Sequence, residues 1–427
     1  MNSNKSILRA FVGTAGIQLF AKGISLITGI IFARILGPEN FGRYAFVISI
    51  ISLAVLPCVA GLPELIIREV ARYRLDKKYS YLNGLLIWST RYVLAISVIS
   101  IFFVVVLTYY DTWNEEVSGL VLSAYLLIPI KGLISKQTSV INGFQRPELA
   151  QLPLQVVAPV IALCSVSLAY FILEIPLSPL LLIYFQIFTH VCAMVFSVIL
   201  LKSIFIKPSK QSKPKFEFIR WHKALLPFTL VTVIGTMNTE LAVLTLGFFG
   251  NEEGIGYFRV AMTGTTVLLL GLQAVNAVSA PRIASMYKQK NLAGTQDLLT
   301  QSVRLGAMTS IPMAILFILF GEYLISFLFG ESYSTAAHLL SILCLGQIFN
   351  VCMGSVGVVL NMTGNEKYTL KAQILTLILT LILLISLIPL YQETGAAIAV
   401  SISLVFWNII MALNVYRLTG LKTWLRY

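Results

Sequence analysis

The sequence predicts an all-α integral membrane protein with twelve transmembrane helices in two repeated six-helix lobes. Composition is the first reason: of 427 residues, 57% are hydrophobic and 11% are charged, and the mean hydropathy is +0.86. Soluble domains carry roughly 25% charged residues. The second reason is that apolar runs recur at lengths that cross about 30 Å of hydrocarbon at ~1.5 Å per residue, which favours helices over a barrel. The third is a set of local patterns that returns, in order, after a basic break near the middle of the chain.

The runs lie near 10–34, 43–67, 81–109, 117–141, 149–173, 178–201, 224–249, 257–281, 298–321, 335–360, 369–390 and 394–416. The first follows a short basic stretch, Lys5 to Arg9, and has no convincing small-residue cleavage site, so it reads as a retained helix and not a signal peptide. Prolines 57, 63, 129, 153, 159, 227 and 312 interrupt runs without ending them, as packing features or hinges. The break at 202–223 contains IKPSKQSKPKFEF, a Pro-, Ser- and Lys-rich linker. It divides the expected lobes, 1–201 and 224–427. The five cysteines fall in or beside apolar runs with neither CxxC nor disulfide-framework spacing, and read as small core residues.

Loop charge sets the orientation, because cytoplasmic loops retain Lys and Arg. Breaks on the N-terminal side hold Arg68, Arg72, Arg74, Lys77 and Lys78, then Arg146, then the linker lysines with Arg220 and Lys223, then Arg282, Lys288 and Lys290. Opposite breaks are rich in acids, among them Glu39, Glu115, Glu116, Glu252, Glu253, Glu322 and Glu393. Both termini are therefore expected in the cytoplasm. This topology accounts for most of the net charge of +13, which in a soluble protein would point to nucleic acid.

The repeat rests on order. Leu36-Gly37-Pro38-Glu39-Asn40-Phe41-Gly42 opens the hairpin after the first run, and Phe249-Gly250-Asn251-Glu252-Glu253-Gly254-Ile255-Gly256 the one after the seventh. Arg68 with Tyr73 then corresponds to Arg282 with Tyr287, and Gly143-Phe144-Gln145-Arg146 to Gly364-Asn365-Glu366-Lys367. Six helices separate equivalent points, so the copies enter the membrane in the same direction, as parallel repeats about an axis along the normal. Two similar bundles with a central site follow.

Five cations, Lys22, Arg91, Lys131, Lys136 and Arg304, lie inside apolar runs, with only Glu64 and Glu240 as acids there. A cation near the bilayer centre costs about 2.5 to 3.5 kcal/mol on insertion scales, so such residues face a watery cavity or a partner. The excess of cations points to an anion passing through.

The Gly37 to Gly42 hairpin, the Arg68-Glu69-Val70-Ala71-Arg72 exit of the second run and the Gln18 to Lys22 polar stripe resemble the polysaccharide biosynthesis flippases. These are the Wzx-type O-antigen transporters, in the superfamily that also holds MATE-type multidrug exporters and lipid II flippases. The resemblance covers essentially the whole chain. It implies two MATE-like six-helix lobes around a central cavity that opens alternately to each side, in a multi-pass protein of the bacterial inner membrane. The implied cargo is an undecaprenyl-pyrophosphate-linked oligosaccharide, an O-antigen or related repeat unit, moved from the cytoplasmic to the periplasmic leaflet in lipopolysaccharide or polysaccharide biosynthesis. Membrane lipids, a polysaccharide polymerase, a chain-length regulator and a coupling proton or sodium ion are the implied partners. Lipid II flippases have two further C-terminal helices, and MATE exporters use acidic residues in the N-terminal lobe where this chain offers Lys22.

For that cargo the candidate binding residues are Lys22, Lys131, Lys136, Arg34, Arg91, Arg259, Arg304 and Gln18. Lys22 shares a face with Thr14, Gln18, Ser25 and Gly29, and Lys131 shares one with Ser135, Thr138 and Asn142. Each could instead make a structural hydrogen bond to a neighbouring helix. Lys136 is rotated from Lys131 and is expected to extend toward the cytoplasmic interface. Arg91 and Arg304 lie within snorkelling reach of an interface. Arg34 and Arg259 stand near the outer mouth, to receive a pyrophosphate or to pair with Glu39 and Glu252. Glu240, beside Thr229, Thr232, Thr236 and Thr239, and His190 are the ion-coupling candidates, with a salt bridge to a cavity cation as the alternative for Glu240. Glu64, after Pro63, reads as structural.

Two other classes compete. One is an exporter of another amphipathic compound in the same superfamily. The other is a membrane glycosyltransferase or polymerase, which needs a sizeable external loop; every such break here is short, and His190, His222 and His338 are scattered. No nucleophile triad, metal-ligand spacing or Walker loop is present, and no cofactor is expected.

Overall fold

The computed structural model describes residues 2–110, 113–204 and 213–425, with side chains from residue 16 onward apart from 18, 19, 224, 226, 227 and 231. Every regular element among them is helical. In a bilayer core, backbone N–H and C=O groups have no water to bond, and a helix satisfies them within its own segment.

The elements in order are α1 (Asn2–Val59), α2 (Leu62–Leu75), α3 (Tyr79–Tyr109), α4 (Glu115–Ala124) and α5 (Leu127–Gly143). Next come α6 (Pro147–Ile172) and α7 (Pro179–Ile204). The remainder are α8 (Phe218–Phe248), α9 (Glu252–Leu268), α10 (Leu270–Lys288), α11 (Leu292–Phe329), α12 (Thr335–Met353), α13 (Val356–Met362) and α14 (Glu366–Thr419). Among the described residues, nine helical stretches are long and apolar enough to cross a membrane, or ten if α9 and α10, bent by 46° at their junction, form one broken span. Two of the nine hold more than one apolar run. The first joins α1 and α2 and kinks at Gly37, with φ 73° and ψ 170°; α14 kinks at Gln392, with φ 50° and ψ −130°. The cause at Gly37 is local: Pro38 disfavours α geometry in the residue before it and suits the first turn of the helix that follows. Glycine reaches the left-handed φ without a Cβ clash.

Contacts divide the chain into two compact units, Met1–Leu36 with Phe46–Thr236, and Gly37–Ala45 with Met237–Tyr427. The first has its core where α2, α3 and the start of α8 meet, around Leu65, Tyr73, Leu85, Trp88 and Trp221. Trp88 and Trp221 lie 5.1 Å apart between ring centroids. Tyr73 donates its hydroxyl to Glu217 at 2.7 Å and accepts from the Trp221 indole at 3.1 Å. The Lys215 amide donates to Ser80 O at 2.9 Å. The described end of the basic break is thus fastened to the α2–α3 turn; residues 205–212 lie outside the described set. The core of the second unit gathers Ile283, Leu299, Val359, Ala372, Met411 and Val415. Large apolar side chains such as Val98 and Phe102 on α3 and Leu319 on α11 are more than 60% exposed, as acyl chains around a spanning helix allow. Cys58 and Cys344 are buried as expected, but Cys164 is exposed. It takes one of the outward positions that an apolar run cannot distinguish from inward ones.

The repeat is visible in how helices end. Lys77 follows α2 with φ 55° and Lys290 follows α10 with φ 59°. The two matched hairpins, both in the second unit, also pack on each other. A Cβ on Gly42 would stand 1.7 Å from Glu252 O, and one on Gly256 would stand 2.1 Å from Pro38 O. Arg43 closes this contact with ion pairs to Glu39, at 2.6 Å, and to Glu252.

Backbone atoms cannot swing aside as side-chain tips do. Gly42→Ala is therefore expected to lose about 1 to 3 kcal/mol, the range for overpacking, and to unfold several degrees lower in detergent. Gly119→Ala, with nothing within 4 Å of its Cβ, should unfold no lower than wild type in the same thermal scan.

Candidate functional site

In the first unit, Lys22 on α1 is half-buried, with Ser25 exposed one turn on. The side chains of Thr14 and Gln18, the other polar members of that stripe, lie outside the described residues. Lys131 on α5 is half-buried and lies within electrostatic range of His190 on α7. The two helices are joined further along by the Ser197 hydroxyl, which donates to Gln137. The Nδ1–H of His190 donates to Gln186 O at 2.8 Å, since a carbonyl can only accept, so Nε2 is the nitrogen left to exchange a proton.

Lys136 departs from its expected course toward the interface. It is only 8% exposed, and no ion pair or hydrogen bond reaches it among the described residues. The reason is helical phase: Lys136 follows Gly132 by four residues, and Gly132 abuts Val93 of α3 and Cys58 of α1. Lys136 thus shares the covered face of α5 that carries Gly132. Arg34 and Arg91 expose their side chains.

In the second unit, Arg259 on α9 pairs with Glu240 on α8. The Glu240 side chain is 14% exposed and that of Arg259 26%. Glu240 is thus held in a salt bridge to Arg259. A lone cation or carboxylate at this depth is costly, and opposite charge in a low dielectric offsets that cost. Glu39 and Glu252, the acids expected to hold Arg34 and Arg259, both pair with Arg43. Arg43 lies on the same short segment as Glu39, one helical turn on, and the Gly42–Glu252 backbone contact sets it beside the second acid. Arg304 exposes its side chain on α11.

Sequence reading missed further polar pairs. Glu69, 1% exposed, draws Arg68 at 3.0 Å, Arg72 at 3.3 Å and Arg220 at 3.6 Å. Asn251 donates to Glu393 at 2.8 Å, and Ser279 bonds Ser302 at 2.8 Å. A local signal existed for Glu69, flanked by Arg68 and Arg72, but not for Arg220, which lies far along the chain.

The profile of the family described as "Polysaccharide biosynthesis protein" matches residues 7–287. The chain belongs to that family. A second profile, "MatE", matches residues 227–386. Among relatives of this polysaccharide biosynthesis family member, the "Capsular polysaccharide biosynthesis protein CapF" of Staphylococcus aureus is 28% identical over 181 residues, 42% of this chain and 45% of that protein. The "Probable low-salt glycan biosynthesis flippase Agl15" of Haloferax volcanii is 19% identical over 406 residues, 94% of this chain and 81% of that one. Its fold is similar to a structure described as "Lipid II flippase MurJ, inward closed conformation", with a TM-score of 0.74 and 16% identity over 96% of this chain and 87% of that chain. A "multidrug resistance MATE family transporter of the MOP superfamily" gives a TM-score of 0.73 and 14% identity, covering 93% and 96%. The family member is thus a multi-span membrane protein with the fold shared by these transporters.

If the Arg259–Glu240 pair is as tightly coupled as its geometry indicates, a double-mutant cycle with Arg259→Ala and Glu240→Ala should give an interaction of about 0.5 to 3 kcal/mol. Additive losses in thermal stability would contradict it.

Proposed function

We propose that this polysaccharide biosynthesis family member is a flippase for a lipid-linked oligosaccharide. The cargo is an undecaprenyl-pyrophosphate-linked repeat unit, carried from the cytoplasmic to the outer leaflet by alternating access. The reading includes two six-helix lobes, 1–201 and 224–427, twelve crossings, both termini in the cytoplasm and residence in a bacterial inner membrane. The observation that carries it is the set of wholly or half-buried lysines on membrane-length apolar helices, Lys22, Lys131 and Lys136, in a chain of this family. A diphosphate anion leaving the headgroup region needs positive charge in place of water, and lysine supplies a point charge on a flexible stem. The relatives named for capsular polysaccharide and glycan flipping support the same cargo class.

In this mechanism Lys22 and Lys131 receive the pyrophosphate, with Gln18, Lys136, Arg34, Arg91 and Arg304 along its path. Arg259 is available to the anion only when Glu240 gives it up, and protonation or sodium binding at Glu240 is the event that frees it. His190 relays a proton beside Lys131. The glycan polymerase and chain-length regulator act on the product after release.

Proteoliposomes holding the protein should deplete a fluorescent lipid-linked oligosaccharide from one leaflet faster than empty vesicles; equal rates would overturn the proposal. The Lys22→Ala/Lys131→Ala double variant should lower surface polysaccharide at least about tenfold, the equivalent of ~1.4 kcal/mol of lost anion binding, at unchanged protein abundance. Glu240→Gln should flip cargo without responding to a proton or sodium gradient, and a retained response would clear that carboxylate of the coupling role.

A further inference from the structure

The second unit contains a crevice of about 360 Å³ lined by Cys352, Met353, Ile409, Leu413, Trp424 and Leu425 among others. Two of its walls are helices, the end of α12 and the last turns of α14. The third is the segment after α14, which is tied down. Gln296 donates to Lys422 O at 2.7 Å and accepts from Lys422 N at 2.8 Å. Leu425 N donates to Cys352 O at 2.7 Å. Leu421 and Thr423 are buried. The wall that carries Trp424 is therefore fixed in place by the fold.

Chemistry changes sharply at one end of the crevice. The lining is apolar, and Ile409, Leu413 and Leu425 are at least 40% exposed. At that end the Trp424 and Tyr416 rings meet at 6.1 Å, and Lys422 Nζ lies 5.6 Å from the Tyr416 ring centroid. Arg417 is exposed next to Tyr416. Tryptophan and tyrosine gather at the level of lipid headgroups, and Lys or Arg there draws anionic lipid.

We propose that this crevice binds one acyl chain of an anionic glycerophospholipid, whose phosphate sits on Lys422 and Arg417. An apolar slot with cations at one end fits an amphiphile of that polarity. The lining offers no row of donors and acceptors for a glycan, which separates this lipid from the proposed cargo. The site stands on geometry independent of the transport reading.

The test uses the full chain in neutral detergent, titrated with phosphatidylglycerol or phosphatidylcholine carrying brominated acyl chains. The signal is the part of the tryptophan quenching that Trp424→Phe removes. Wild type should bind phosphatidylglycerol about fivefold more tightly than phosphatidylcholine, the discrimination one lysine near the surface supplies. Lys422→Gln should cut that preference to below about twofold, and Lys422→Arg should restore it. Leu413→Trp, which places a ring across the mouth from an exposed position, should weaken both lipids, with its lipid-free thermal midpoint checking that it folds. Equal affinity in wild type, a preference that stays above about twofold in Lys422→Gln, or unchanged binding in Leu413→Trp would overturn the site. Displacement of phosphatidylglycerol by substoichiometric polyprenyl phosphate would overturn the choice of a phospholipid.

Discussion

An ionised side chain taken out of water must find a counter-charge or give up its own, and the polar interior of this protein follows from that requirement. Arg259 lies against Glu240, Arg43 holds two acids, and Glu69 gathers three arginines. Two of these pairings, Arg43 with Glu252 and Arg220 with Glu69, join segments far apart in sequence. The charges therefore fix which helices adjoin as much as the apolar packing does, since acyl chains reward apolar contact no more than a neighbouring helix does. Lys136 is the contrast, buried without an ion pair or hydrogen bond among the described residues.

Under the proposed mechanism an ion pair of this sort is both structure and switch. A carboxylate that holds a guanidinium in hydrocarbon also masks it from any other anion. What neutralises the carboxylate then exposes the cation, so one interaction can link ion binding to cargo binding. This requires no large cavity electrostatics, only that the acid and the cargo compete for the same donors.

The all-helical class was legible because membrane hydropathy is a long, redundant signal, carried by tens of residues per run. The apolar runs lie mostly on helix, though some cross a break, as at Gly61 and Gly354. The hairpin repeat was legible for a different reason: Gly37 and Gly42 recur as Gly250 and Gly256 in order, and backbone geometry forces such residues. The site was less legible. Periodicity places Lys131 and Lys136 on different faces of α5, but not which face another helix covers; Gly132, which admits α3, decides that. Nothing near Arg43 in the sequence signals its second partner, because Glu252 is more than two hundred residues away. Pairing partners at such separations leave no local pattern to read.

The contact between the matched hairpins has a further meaning. Gly42 meets the second hairpin much as Gly256 meets the first, the self-complementary arrangement found where identical subunits join about a two-fold axis. Duplicated segments usually drift apart, each copy adapting to its own surroundings. Here each copy is the other's surroundings. A residue that grows in one loop must be answered by space in its counterpart, so substitutions in the two loops act on one shared interface.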